Sequence, residues 1–333
     1  MSLETSLSAV LNMPDNFELI RRTVRHLAAQ TVRSRIELII VTTEDRQAQI
    51  PPSALSDFAA SRVVALPTLP VSAVGYAAGV RHATSPVVAL CEDHSFPEPE
   101  WAEALIRAHQ QDCVAVGPGM ANGNPDSVVS WANYLLTFVE WFQPLQSGPV
   151  SSCAGHNTSY KRDVLLPYDL DHWFVSERML HADFVAKGLS IYVENQAITH
   201  HVNLSKPASF LTHSFLGGRI FGGARAAGWN LARRFLYALA FPLVPIVRLR
   251  RIWLVLGTST RRQAARFWPA LPWTLAGLCL HALGEATGYL FGDGDAMQRY
   301  TNFELYRHQH VTASDQALLR DNGHPPTAAL SAT

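Results

Sequence analysis

The first 120 residues alternate short apolar runs with amphipathic stretches. Residues 7–11 predict a strand. Pro14-Asp15-Asn16 then caps a helix whose apolar positions Phe17, Ile20, Val24 and Leu27 recur every three or four residues, the spacing of one helical face. Residues 36–41 are apolar except for Glu37, have strand length and are too short for a buried helix. Residues 63–66 predict a third strand, 72–82 a small-residue helix, and 87–91 a fourth strand running into Glu92-Asp93. A helix over 100–110 and a strand over 113–116, closed by Gly117-Pro118-Gly119, continue the series. This alternation predicts an α/β domain with a mostly parallel mixed sheet covered on both faces. In such sheets ligands bind beyond the carboxyl ends of the strands, where residues 42–46 and 92–95 fall.

Further on, residues 127–142 predict an apolar helix carrying Trp131, Tyr134, Leu135, Phe138 and Trp141. A polar loop over 146–160, a helix over 176–187 ended by Gly188, and short strands at 191–193 and 197–199 lead into His200-His201. After Phe235 the pattern changes. Residues 235–247 are uncharged and apolar, with Pro242 and Pro245 inside, and 267–284 form an uncharged run close to the ~20 residues a bilayer crossing needs. Arg233, Arg234, Arg248, Arg250, Arg251, Arg261, Arg262 and Arg266 flank these runs, and Trp253, Trp268 and Trp273 sit near their edges. Basic flanks with interfacial aromatics predict a membrane-associating helical segment, the alternative being a packed helical subdomain. Glu285 is then expected at headgroup level. The expected domains are 1–205, a catalytic α/β domain; 206–295, the membrane-associating helices; and 296–333, a polar tail.

Composition narrows the field. The chain is 48% hydrophobic and 16% charged with zero formal net charge, so no overall field points to nucleic acid. Cys91, Cys113, Cys153 and Cys279 form no C-x-x-C pair, which argues against a disulfide framework or zinc knuckle and for a reducing setting. The first residues lack the basic and apolar regions of a signal peptide.

Three constellations could carry chemistry. Glu92-Asp93-His94 follows an apolar strand, and adjacent acids there repel unless a cation or donors sit nearby. Carboxylate with imidazole suits a borderline ion such as Mn2+, and an all-oxygen set leans to Mg2+. A solvated turn capping the next helix fits the same letters. Glu177 opens a helix, where a carboxylate is either a helix-dipole partner or a base. Gly155-His156-Asn157 is either a ligand-approaching turn or an ordinary polar one.

Taken in order, these segments resemble the family-2 glycosyltransferases of GT-A fold over roughly residues 5–205. The likeness rests on the first strand and capped helix and the segment Ile36-Glu37-Leu38-Ile39-Ile40-Val41. It continues through Glu-Asp-His before Pro97-Glu98-Pro99-Glu100-Trp101, Gly155-His156-Asn157 before Lys161-Arg162, and Ser176-Glu177 before Gly188 and His200. The resemblance implies a nucleotide-sugar donor, a saccharide or lipid-linked acceptor, and work at the cytoplasmic face of the cell membrane. It implies a divalent metal, Mn2+ or Mg2+, held by Glu92, Asp93, His94 and His200. It places Glu177 at the general-base position, Asn12, Glu44, Asp45 and Asp93 at the donor, and Gly155, His156 and Asn157 at the acceptor. A base opposite the leaving diphosphate implies inversion. Two features depart from the pattern. Thr42 and Thr43 stand where the family carries aspartates, and the Q-x-x-R-W motif of processive synthases is missing. The alternatives are a nucleotidyltransferase and a non-catalytic membrane adaptor.

Overall fold

The computed structural model describes residues 5–257 and 259–320. In chain order the elements are β1 (Leu7–Met13), α1 (Phe17–Ala28), β2 (Ile36–Thr43), β3 (Ala60–Leu66), α2 (Ser72–His82), β4 (Val87–Cys91), β5 (Ser95–Pro97), α3 (Trp101–Ala108), β6 (Ala115–Asn122) and α4 (Val128–Phe138). There follow β7 (Gly148–Val150), β8 (Ser159–Lys161), α5 (Arg162–Leu165), α6 (Leu170–Trp173), α7 (Glu177–Ala186) and β9 (Ile191–His201). The remainder is helical: α8 (Pro207–Arg225), α9 (Leu231–Leu239), α10 (Leu243–Leu256), α11 (Arg261–Phe291), α12 (Ala296–Leu305) and α13 (Ala313–Leu319). The described residues divide into two compact units: residues 5–123, Trp141–Val202 and 317–320 form one, Asn124–Glu140 with Asn203–Gln316 the other.

The first unit holds a nine-stranded sheet in the order β3-β2-β1-β4-β8-β6-β9-β5, with β7 on β9. Strands β3, β2, β1 and β4 are parallel, β8 runs antiparallel to both β4 and β6, and β6 and β9 are parallel. Side chains alternate across each strand. Ala9 and Leu11 of β1 meet Phe17, Ile20, Leu27 and Leu105 on one face, and Val10 meets Tyr76, Ala77 and Val80 on the other. Burial on both faces is why β1 and β2 read as unbroken apolar runs.

Two elements extend past their expected ends. Strand β6 continues through Gly117-Pro118-Gly119, and residues 191–201 form one strand where two were expected. The register between them jumps from Pro118↔Glu194 to Gly119↔Ile198, so three residues of β9 bulge opposite a proline that has no N–H to pair.

In the second unit, α8 and α11 meet at backbone distance. A Cβ on Gly218 would fall 2.0 Å from His281 O, and one on Gly284 would fall 2.1 Å from Phe215 O, so only glycine fits at either position. The expected membrane-associating C-terminal segment is overturned here. Among the described residues no helix is long and apolar enough to cross a membrane. The run 235–247 is split between α9 and α10. The run 267–284 lies inside α11, which contains Pro269 and Pro272 and buries Ala270, Leu278 and Ala282 alongside the polar Thr274 and Glu285. Its apolar positions are used for helix packing and are diluted by buried polar groups, so the expected apolar C-terminal helices are mixed instead. Glu285 is 6% exposed and not placed at a solvated rim. Leu231, Phe235, Leu236 and Leu239 of α9 remain exposed.

Candidate active site

The carboxyl ends of β1, β2 and β4 carry the residues that the sequence pattern places beyond the sheet. β4 ends at Cys91 and the next three residues are Glu92, Asp93 and His94. Tyr76, fully buried on α2, donates its hydroxyl to Cys91 O at 3.0 Å and pins this end of the strand. Burial, and then the nearby Glu92 charge, pushes the Tyr76 phenol well above its usual value, so it stays a neutral donor.

Glu92 is 6% exposed and its oxygens face different partners. Oε2 accepts from Ser95 Oγ at 2.9 Å and from Asn157 Nδ2 at 2.7 Å. Oε1 lies 3.6 Å from His94 Nε2, and His201 Nε2 lies 3.6 Å from Oε2. The rings of His94 and His201 meet edge to face at 4.8 Å. His94 Nδ1 is 2.5 Å from Asp93 Oδ1. Its Nε2 is buried and without a hydrogen-bond partner.

One donor atom each from Glu92, His94 and His201 lies within 4.8 Å of the others. Metal bonds of about 2.0–2.2 Å place neighbouring ligands roughly 3–4 Å apart, so the spacing fits one cation. The unpartnered Nε2 of His94 is what such an ion would satisfy. One carboxylate and two imidazoles make a candidate divalent-cation site, of the kind that suits a borderline metal.

The four residues expected to hold metal are therefore not brought together as a set. Asp93 turns to His94 Nδ1. His200 pairs with Glu98 Oε1 at 2.8 Å, and its neighbour His201 stands beside Glu92. Pairing explains the exchange. β5 and β9 are antiparallel with Ser95 opposite His201 and Phe96 opposite His200. Adjacent strand residues point to opposite faces, so only one of the two histidines can reach the turn at 92–95.

Glu177, the first residue of α7, is 7% exposed and pairs with His156 Nδ1. His156 and Asn157 share a short turn, Gly155–Asn157, and a ring nitrogen of His156 lies within 4.8 Å of a Glu92 oxygen. The carboxylates of Glu177 and Glu92 thus lie on either side of one turn. The position of α7 is held by His181, one helical turn after Glu177. Its Nδ1 accepts from Cys153 N at 3.3 Å, and its Nε2 lies 3.0 Å from Tyr160 Oη. Burial pushes His181 down to about 3, so it remains neutral.

The donor-side residues sit at the ends of β1 and β2. Asn12 is 5% exposed and donates to Ser72 O at 3.0 Å. A Cβ on Gly75 would fall 2.1 Å from Asn12 Oδ1, so α2 can approach Asn12 only with glycine there. Thr42 is buried and donates to Met13 O at 2.9 Å, tying β2 to β1. Glu44 and Asp45 are exposed just beyond, and a hydrogen bond with Thr43 holds the Asp45 carboxyl below its usual value.

Sequence reasoning missed His201, Ser95 and the pairing of His156 with Glu177. His200-His201 was visible as a doublet, but choosing between its members requires the β5–β9 register.

Residues 10–167, just under half of the chain, match the family model described as glycosyl transferase family 2. No curated protein matches the sequence. Among solved structures, the chain is similar to the mannosyltransferase PcManGT from Pyrobaculum calidifontis in complex with GDP-Man and Mn2+. That protein is 14% identical over 86% of this chain and 88% of its own, with a TM-score of 0.52. A mycobacterial protein is 17% identical over 60% of this chain and 68% of its own, at 0.41. S. aureus TarS 1-349 is 12% identical over 94% and 77%, at 0.44. The likeness to PcManGT is one of fold, the GT-A type. The match of residues 10–167 to that family model, together with a candidate divalent-cation site at the strand ends of a GT-A sheet, makes this protein an enzyme of the glycosyltransferase class.

Proposed function

We propose that the protein moves a sugar, with inversion, from a nucleotide-diphosphate donor to a saccharide that is lipid-linked or part of the cell envelope, at the cytoplasmic face of the membrane. The observation that carries the inverting reading is the placement of two buried carboxylates, Glu92 and Glu177, on either side of the turn Gly155–Asn157. Glu92, His94 and His201 would hold Mn2+ or Mg2+, which when bound neutralises charge on the leaving diphosphate. Glu177 takes the proton of the attacking hydroxyl. The acceptor oxygen then bonds to the anomeric carbon, and the bond to the diphosphate breaks with its electron pair. Asn12, Glu44, Asp45 and Asp93 line the donor side, and Gly155, His156 and Asn157 the acceptor side. The family resemblance, and no helix of this chain, supports the membrane-face acceptor.

The test is a thermal-shift screen of UDP-, GDP- and dTDP-sugars with Mn2+, Mg2+ or chelator, followed by product analysis. GDP-mannose, the donor bound by PcManGT, goes first. A sugar nucleotide should raise the melting midpoint only with metal, since binding stabilises by mass action. Turnover should release nucleoside diphosphate. Release of pyrophosphate would assign a nucleotidyltransferase, and binding without turnover under every condition would defeat the reading.

A further inference from the structure

One short turn holds both halves of the site. Asn157 Nδ2 donates to Glu92 Oε2 at 2.7 Å, and the imidazole of the preceding residue, His156, pairs through Nδ1 with Glu177 Oε1. The His156 ring packs on Tyr76 at 5.1 Å, and Tyr76 is in turn bonded to the residue before Glu92. A Cβ on Gly155 would stand 3.3 Å from Glu177 Oε2, so the turn also lies against the second oxygen. Glu177 is therefore not a solvated acid at a helix start. A buried carboxylate must have its oxygens held, and a base is useful only when the accepting oxygen has a fixed direction.

Resting on the reading of Glu177 as the base, we propose that His156 is a positioning residue for it, and that the turn Gly155–Asn157 sets the spacing between base and metal carboxylate. His156 Nδ1 stands in ion-pair contact with Oε1 and fixes the direction of the carboxylate, and Oε2, on the Gly155 side, receives the acceptor proton. Asn157 does the corresponding work on Glu92 by donating to Oε2. His156 thus acts on the acceptor through Glu177.

Three variants test this in the full chain, by hydrolysis and transfer with the nucleotide sugar that gives the largest thermal shift. His156→Phe keeps a ring on Tyr76 and removes the ion-pair partner of Glu177. Its kcat should fall about 10- to 100-fold, the usual cost of losing an orienting partner, while donor KM stays within about threefold. His156→Asn, which returns an N–H near the Nδ1 position, should recover most of that loss. Gly155→Ala, which crowds Glu177 Oε2 without touching His156, should lower kcat by a smaller factor. Unchanged kcat in His156→Phe overturns the proposal. So does a raised acceptor KM at constant kcat, which would make His156 a direct acceptor contact. Glu177→Gln run in parallel separates the two readings: an active Glu177→Gln removes the base itself, whereas an inactive one beside a normal His156→Phe removes only the positioning role. If His156→Phe does not fold, or no donor turns over, the ring nitrogens of His156 are followed by NMR, assigned by their loss in His156→Asn. A shift of the Nδ1 resonance in Glu177→Gln is expected, and an unmoved resonance overturns the pairing.

Discussion

Glu92 and Glu285 are both 6% exposed carboxylates beside histidine, yet the two units use them in opposite ways. In the helical unit Glu285 has a partner on each oxygen: His281 Nε2 at 3.2 Å from Oε1, and Tyr289 Oη donating to Oε2 at 3.0 Å. All three residues lie on α11 at four-residue spacing, and Tyr289 Oη also accepts from Arg225 of α8 at 3.4 Å. In the sheet unit Glu92 receives two hydrogen bonds on Oε2, while Oε1 faces a histidine nitrogen that has no hydrogen-bond partner. Those two donors come from β5 and the 155–157 turn, and the histidines come from the turn after β4 and from β9. Burial of acid and imidazole is common to both clusters, and coordinating capacity left over is found only in the first.

The largest effect is expected at the base. Glu177→Gln keeps the shape and removes the proton acceptor, so transfer should fall by about 10²–10⁴-fold with donor binding near wild type. Steady-state kinetics beside a donor thermal shift would check this, and near-normal turnover would end the assignment.

Acid should act next, through a histidine of the closed kind. His181 has both nitrogens engaged and is depressed to about 3 by burial, and His109 is held at about 3 by burial and then by Lys161. Above about pH 6.5 these groups are neutral in both folded and unfolded chains. As pH falls from 6.5 towards 3, the unfolded chain binds protons that the folded one refuses, so stability is present above 6.5 and lost below it. Melting midpoints should decline steadily from pH 6.5 to 4, and His181→Gln should flatten the decline. A midpoint independent of pH in that window would contradict the neutral assignment.

The first unit was legible where both faces of the sheet are buried, because β1, β2 and β4 then read as apolar runs with polar segments at their ends. That rule puts Glu92 and His94 beyond a strand end, and their expected metal role came from the family resemblance. His201 was not legible, since a two-residue period cannot say which member of a doublet faces a turn until the partner strand is known. Strand β6 was cut short because Gly-Pro-Gly is a turn signal that here sits in a bulge. The helical unit was misread for another reason. Glycine-paired helices such as α8 and α11 demand apolar, small-residue sequences whether their surroundings are lipid or protein. Hydropathy along the chain therefore could not separate a membrane-associating run from a packed one. Glu285, given a place at a headgroup region, is a buried member of that packing.

A smaller effect than acid is expected at the metal ligands. His94→Ala should weaken the Mn2+ dependence of donor binding by at least the 10–100-fold typical of losing a group around a metal. His201→Ala should act alike and His200→Ala should not, because His200 faces Glu98. Isothermal titration of Mn2+ into each variant decides it. Equal losses for His200 and His201 would mean that β9 is not in the register described.

The smallest functional effect is expected from Glu285→Gln, and this is where the comparison is sharpest. Glutamine keeps the volume and one accepting oxygen but removes the charge that faces His281 and Tyr289. A buried polar group left partly unsatisfied costs about 1–3 kcal/mol, so the melting midpoint should drop. The Mn2+ affinity and the metal dependence of donor binding should stay within about twofold, because a cluster whose oxygens are both partnered has no ligand to lend. The companion change Glu92→Gln should do the reverse. It keeps an oxygen for Ser95 or Asn157 and so spares much of the fold, but it weakens the cation site. Calorimetry of unfolding and Mn2+ titration on both variants give four numbers. A crossed pattern, stability lost in one and metal affinity in the other, is the expected result. If Glu285→Gln lowers Mn2+ affinity as much as Glu92→Gln does, the two clusters are not functionally distinct, and burial rather than leftover coordination has been the only thing they were compared on.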